Sequence, residues 1–201
     1  KRQAEWVTEG AGTYTRIIGY NGAGENIKVP SMLNGKPVEI DLGAVLDQHL
    51  NGTTQTFEIE AAKNGERPVK VTGSFANLFD GNTKLTSAKF ADADTSAIID
   101  MSGMFINCSN LSSVDMSKWD TANVKKMNHM FFSCSSLTSL DVSKWDTEKV
   151  EDMRSVFAGC SSLISLDVSN WNTANMTDMS NMFAECRKLC LLYTSDAADD
   201  R

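Results

Sequence analysis

No run of about 18 apolar residues occurs in this 201-residue chain, so no segment is expected to cross a membrane as a helix. Basic residues are in deficit: 19 Lys and Arg stand against 26 Asp and Glu, a formal net charge of −7. That balance removes the long-range attraction to phosphate that nucleic-acid binders use, so nucleic acid and anionic lipid are not expected partners. Histidine is nearly absent. His49 and His129 lie far apart and read as surface residues. G-x-S-x-G, Walker, H-E-x-x-H and C-x-x-C motifs are all missing, and Gly10-Ala-Gly12 and Gly22-Ala-Gly24 lack the third glycine of a dinucleotide site. Neither an enzyme nor a cofactor is expected. Lys1 opens the chain without an initiator Met and no signal-peptide pattern follows, which reads as an internal fragment. With 41% hydrophobic and 22% charged residues the chain has the material for a core.

What is present is a repeat. Cys108, Cys134, Cys160 and Cys186 fall 26 residues apart, as do Trp119, Trp145 and Trp171. The same step links Phe79, Phe105, Phe131, Phe157 and Phe183, and Leu85 through Leu111, Leu137 and Leu163 to Leu189. Within one unit Val124, Met127, Met130, Phe131 and Cys134 have the spacing of an amphipathic helix face, and Asp120 and Thr121 can cap it. Ser135-Ser136 then breaks the run, and Ser139-Leu140-Asp141-Val142-Ser143 alternates as a half-buried strand does. Each unit is therefore expected to be a helix, a turn and a short parallel strand. A single such unit cannot bury its apolar face alone, so stability must come from stacking.

The strand column runs upstream from Leu166/Val168 through Leu140/Val142 and Val114/Met116. It continues through Ala88/Phe90 and Phe57/Ile59 to Ile27/Val29, about six rungs. Thr13 to Tyr20, followed by Asn21-Gly22, looks like a hairpin covering the open end of the stack. The expected organisation is an N-terminal β-hairpin cap over 1–26, irregular coils over 27–100 and regular 26-residue repeats over 101–189.

The units beginning Met127-Asn-His-Met-Phe-Phe-Ser-Cys-Ser-Ser-Leu and Met153-Arg-Ser-Val-Phe-Ala-Gly-Cys-Ser-Ser-Leu resemble the BspA-type leucine-rich repeat surface proteins of bacteria. Ile27-Lys-Val-Pro-Ser-Met-Leu-Asn-Gly-Lys-Pro-Val is similar to the first coil of the same group. The resemblance covers about residues 14–189 and is most specific over 101–189. It implies an α/β repeat solenoid, a right-handed leucine-rich-repeat coil, secreted or held at the bacterial cell surface, of a kind associated with adhesion or host-protein binding. It brings no catalytic residues. The pattern departs upstream, where Asn82 stands in the cysteine column and Ala93 in the tryptophan column. After Leu189 the register is lost, and residues 190–201 resemble the translation of a transposase end plus sequencing adaptor, so they are read as an artefact.

Three columns bear on function. The cysteines read as buried free thiols, small hydrophobes on an apolar face, because neither zinc spacing nor disulfide spacing is present. Trp119, Trp145 and Trp171 either close the core at the corner after each strand or offer rigid aromatic faces to a sugar or a protein. If Leu140 and Val142 point inward, the outward column is Lys28, Glu58, Lys89, Asp115, Asp141 and Asp167. Three aligned aspartates need a reason: hydrogen bonds from neighbouring Ser or backbone groups, offset by Lys118 and Lys144, or a strip for a cation or basic partner. The resulting expectation is a non-enzymatic surface module. It would bind a host or neighbouring-cell protein or glycan through Asp115, Asp141, Asp167, the three tryptophans, Lys118 and Lys144. The competing expectation is a passive spacer or stalk displaying another domain.

Overall fold

The computed structural model describes residues 5–190. The chain opens with an antiparallel hairpin of β1 (Trp6–Ala11) and β2 (Tyr14–Tyr20), turned at Gly12-Thr13. Gly12 sits at φ 61°, a left-handed conformation that glycine adopts without steric cost. The stretch expected to be a whole hairpin, Thr13 to Tyr20, thus supplies one strand of it. The first coil follows with β3 (Asn26–Val29), β4 (Met32–Leu33), β5 (Lys36–Asp41) and the helix α1 (Leu42–Leu50). Later coils contribute β6 (Thr56–Ile59), β7 (Lys70–Thr72), β8 (Ser87–Lys89) and β9 (Ser113–Asp115).

Parallel pairing stacks the coils along three columns. One sheet runs β3-β6-β8-β9, with Ile27 opposite Phe57, Phe57 opposite Ala88 and Ala88 opposite Val114, the register read from the sequence. A bridge from Ser139 to Ser165 carries it onward. The second sheet joins β2, β5 and β7 in parallel, with β1 outside β2 and β4 on the other side of β5. The third column links Asp100, Lys126, Asp152 and Asp178 by single bridges.

The expected helix in every repeat is not there. Among the described residues α1 is the sole helix, capped by Asp41, which accepts from the Ala44 N–H at 3.0 Å. It buries Leu42, Leu46 and Leu50. In the coils that follow, a ribbon of tight turns takes its place. Over 127–134 the N–H groups of Met130, Phe132 and Cys134 reach the carbonyls three residues back at 3.2, 3.1 and 3.1 Å. The alternate N–H groups of Met127, His129, Phe131 and Ser133 instead donate to Asp152, Arg154, Val156 and Ala158 of the next coil, at 3.0, 2.9, 2.9 and 2.7 Å. What separates this from a helix is a left-handed residue at every fourth position. Asn77, Gly103, His129, Ser155 and Asn181 form one such column, and Gly81, Asn107, Ser133, Gly159 and Glu185 the other, all with φ between 55° and 77°. Each interrupts the i→i−4 ladder and turns alternate donors toward the neighbour. Met127, Met130, Phe131 and Cys134 are nevertheless fully buried. The apolar spacing marked the buried face correctly and the backbone conformation wrongly.

The core runs unbroken along the stack. Phe79, Phe105, Phe131, Phe157 and Phe183 stack nearly parallel, with centroids 5.1, 5.3, 6.0 and 5.9 Å apart. Thr95, Thr121 and Thr147 form a second internal ladder. The buried Thr121 hydroxyl donates to the Asp146 carbonyl and accepts the Asp146 N–H, both at 2.9 Å, and Thr95 and Thr147 do the same one coil earlier and later. Asn82, in the cysteine column, donates to the carbonyls of Leu50 and Thr54 at 2.7 and 2.8 Å and accepts from Lys84 and Leu85. An amide is needed there because the preceding coil ends in a helix whose last carbonyl would otherwise be orphaned.

Candidate interaction face

The outward residues of the first parallel sheet form one continuous row. Lys28 pairs with Glu58 across the strands, Glu58 with Lys89 and Lys89 with Asp115. Asp141 and Asp167 lie in the same positions of the next two coils, and all three aspartates are exposed. Signs alternate over the first four rungs, with Lys28 and Glu58 in contact at 3.7 Å, and then the row becomes purely acidic. Asn26, Lys28, Thr56, Glu58, Ser87 and Lys89 border a shallow groove of about 310 Å³ at its N-terminal end.

Each aspartate is held by the serine two residues on. Asp115 accepts the Ser117 hydroxyl at 2.9 Å and N–H at 3.3 Å, Asp141 those of Ser143 at 2.6 and 3.2 Å, and Asp167 those of Ser169 at 2.6 and 3.0 Å. The Ser143 hydroxyl is the main reason the Asp141 carboxyl ionises below its usual range. The Ser143 N–H and then Lys144 add to this, and Asp167 opposes it. Ser169 does the same for Asp167. Lys118 and Lys144 stand exposed beside the row. The serines were not singled out in the sequence, although the signal was there. Asp-x-Ser recurs at Asp94, Asp100 and Asp178, where the same hydroxyl-to-carboxylate bond forms.

The tryptophans sit elsewhere. Trp119 and Trp145 are 5% and 3% exposed. Trp119 packs on Phe75 and Phe90, and Trp145 stacks on Trp171 with centroids 6.0 Å apart at 3°. Only Trp171 is half-exposed, and its Nε1 donates to the Val142 carbonyl at 3.2 Å. The sheet therefore gathers the aspartates and lysines, while the first two indoles belong to the core. The cysteines are free and line the interior: the thiols of Cys108, Cys134 and Cys160 each donate to a Phe carbonyl of the preceding coil at 3.1 Å. Burial pushes the Cys108 and Cys160 thiols up to about 12, and Cys134 well above its ordinary value. His49 lies edge-on to Tyr20 at 5.3 Å, and His129 packs near Phe132 two coils or more away. Among the described residues no group of three or more His, Cys, Asp or Glu is placed to hold a metal ion. No helix there is long and apolar enough to cross a membrane.

Stacked coils, parallel β columns and a leucine-bearing repeat define a solenoid of the leucine-rich-repeat class. The chain belongs to the family described as "Mycoplasma protein of unknown function, DUF285", whose model matches residues 73–194, more than half of the sequence, and its units are BspA-type leucine-rich repeats. The crystal structure of a leucine-rich repeat protein of T. pallidum is similar, with a TM-score of 0.52 and 19% identity over 92% of this chain and 88% of that one. At that identity the likeness speaks to the fold alone. No curated protein matches the sequence.

Proposed function

We propose that this chain is a non-enzymatic interaction module of a bacterial surface or secreted protein. It engages a protein or glycan of a host or neighbouring cell through the outward row of its first sheet. The observation that carries the reading is the series Asp115, Asp141 and Asp167, three exposed carboxylates on successive rungs, each fixed by its own serine. Like charges one strand spacing apart are unfavourable, roughly 0.2–1 kcal/mol per pair. A basic partner surface removes that repulsion on binding, and serine clamps spare it the entropy of ordering the carboxylates. Lys118, Lys144 and the half-exposed Trp171 flank the row as secondary contacts.

The test is binding of the whole chain to arrays of extracellular-matrix proteins and glycans, beside an Asp115/Asp141/Asp167→Asn variant. Asparagine keeps the oxygen that accepts from the serine, so the turns persist while the charge is removed. Saturable binding that weakens with salt and is lost in the variant supports the reading. A folded wild type that binds nothing favours the spacer, which the self-contained hydrogen bonding of near-identical coils also suits.

A further inference from the structure

The internal columns all emerge on one surface at the C-terminal coil. Met101, Met127 and Met153 are fully buried, whereas Met179, next in the same column, is 46% exposed. Phe157 is buried and Phe183 half-exposed, and Trp145 and Trp171 show the same step. The hydrogen-bond ladder ends there too. Met153, Ser155, Phe157 and Gly159 donate their N–H groups to carbonyls of the last coil, but the equivalent groups of Met179, Asn181, Phe183 and Glu185 find no acceptor among the described residues. One column over, the carbonyls of Ile99, Lys125 and Glu151 each accept from the next coil, which leaves the Thr177 carbonyl as the outermost acceptor of that row. The surface thus carries apolar area, donors and an acceptor together.

We propose that this end surface pairs with the same surface of a second copy, forming a closed end-to-end dimer. Three observations favour a second copy. The contact continues an interface the molecule already builds between its coils, with the same methionine, phenylalanine and tryptophan columns. Donors and acceptor occur on one face, as a self-complementary, twofold contact requires. Charge offers no barrier: Asp178 and Glu185 are matched by Arg187 and Lys188 over residues 176–190, and Glu185 is paired with Arg187 at 2.8 Å. The opposite end is covered by the hairpin, which places Ile17 in the core at 1% exposure, so association stops at two. This is independent of what the strand face binds.

Sedimentation velocity and light scattering of the whole chain across concentration provide the test, with Met179→Glu and Ile18→Glu variants. Met179 is already exposed in the single chain, so its replacement spares the fold, and a carboxylate forced into the contact raises the dissociation constant by at least about tenfold. Ile18, 48% exposed at the hairpin end, controls for generic apolar stickiness. The expected result is a concentration-dependent dimer, weakened by Met179→Glu and kept by Ile18→Glu, with unchanged circular dichroism in all three. A monomer up to roughly 100 µM, growth beyond two copies, or a dimer indifferent to Met179→Glu overturns the proposal.

Discussion

At Cys134 the thiol hydrogen is aimed at the Phe105 carbonyl, 3.1 Å away, inside a shell of Met, Phe and Leu side chains. A thiol there fills a small volume and satisfies a carbonyl, but its thiolate has no counter-charge, so burial holds the proton on. The consequence for stability has a definite sign. Cys108 and Cys160 ionise at about 12 when folded against 9.0 for the free group, so the unfolded chain releases these protons first as pH rises. Stability from these thiols is complete below pH 9 and drains away between about 9 and 12, at about 1.4 kcal/mol per pH unit per thiol. Melting followed by tryptophan fluorescence should show that alkaline decline, and it should be shallower in a Cys108→Ala variant. Ellman's reagent at neutral pH should label exposed Cys190 at once and the buried three only as fast as the protein opens. Prompt labelling of Cys108, Cys134 and Cys160 would contradict the buried ladder.

Among the elements, the turn ribbon departs most from what the sequence suggests. Its left-handed residues are few enough, and mostly Asn, Ser and Gly, that each column accommodates φ near +60° at modest cost. Gly159 tests this geometry. It sits at φ 77°, and an added Cβ would lie 3.1 Å from the Ser133 Cα of the preceding coil. Gly159→Ala should therefore destabilise by about 1–3 kcal/mol, from the left-handed conformation and the inter-coil contact together. If 153–163 were a helix instead, the same change would stabilise by about 1 kcal/mol, so denaturant melts of this one variant separate the two. The strands, by contrast, were legible: alternation around Leu140 and Val142 and the longer steps back to Ile27 placed every rung of the first sheet. Period two reports strand and side-chain direction together. Spacing of three and four is shared by a helix and by overlapping tight turns, so Met127, Met130 and Phe131 could reveal only which face is buried. The aspartate row was legible for the same reason as the strands. The burial of Trp119 and Trp145 was not, because a corner residue can turn either way and local pattern does not decide it.

Across the molecule, hydrogen bonds between coils tie each ribbon to its neighbour, and stability is a sum over interfaces between adjacent coils. An interior coil has two such interfaces and a terminal coil one. The N-terminal coil is compensated by α1 and by β2 pairing with β5, whereas the coil over 176–189 keeps Met176, Met182 and Leu189 only half-buried. Opening should therefore start at the C-terminal coil and move inward one interface at a time, as in other solenoids whose ends fray. Amide hydrogen exchange tests the order. Ser155 and Phe157, whose acceptors Ser180 and Met182 lie in the last coil, should exchange faster than His129 and Phe131, which donate the equivalent bonds one coil deeper. Those of Gly103 and Phe105 should be slower still. The gradient also reports on end-to-end pairing: at concentrations where two copies associate, protection of Ser155 and Phe157 should rise while Gly103 and Phe105 stay unchanged, since covering the last coil removes the easiest opening. Exchange that is uniform along the stack would mean that the coils open as one cooperative unit, and the nearest-neighbour account of this solenoid would then fail.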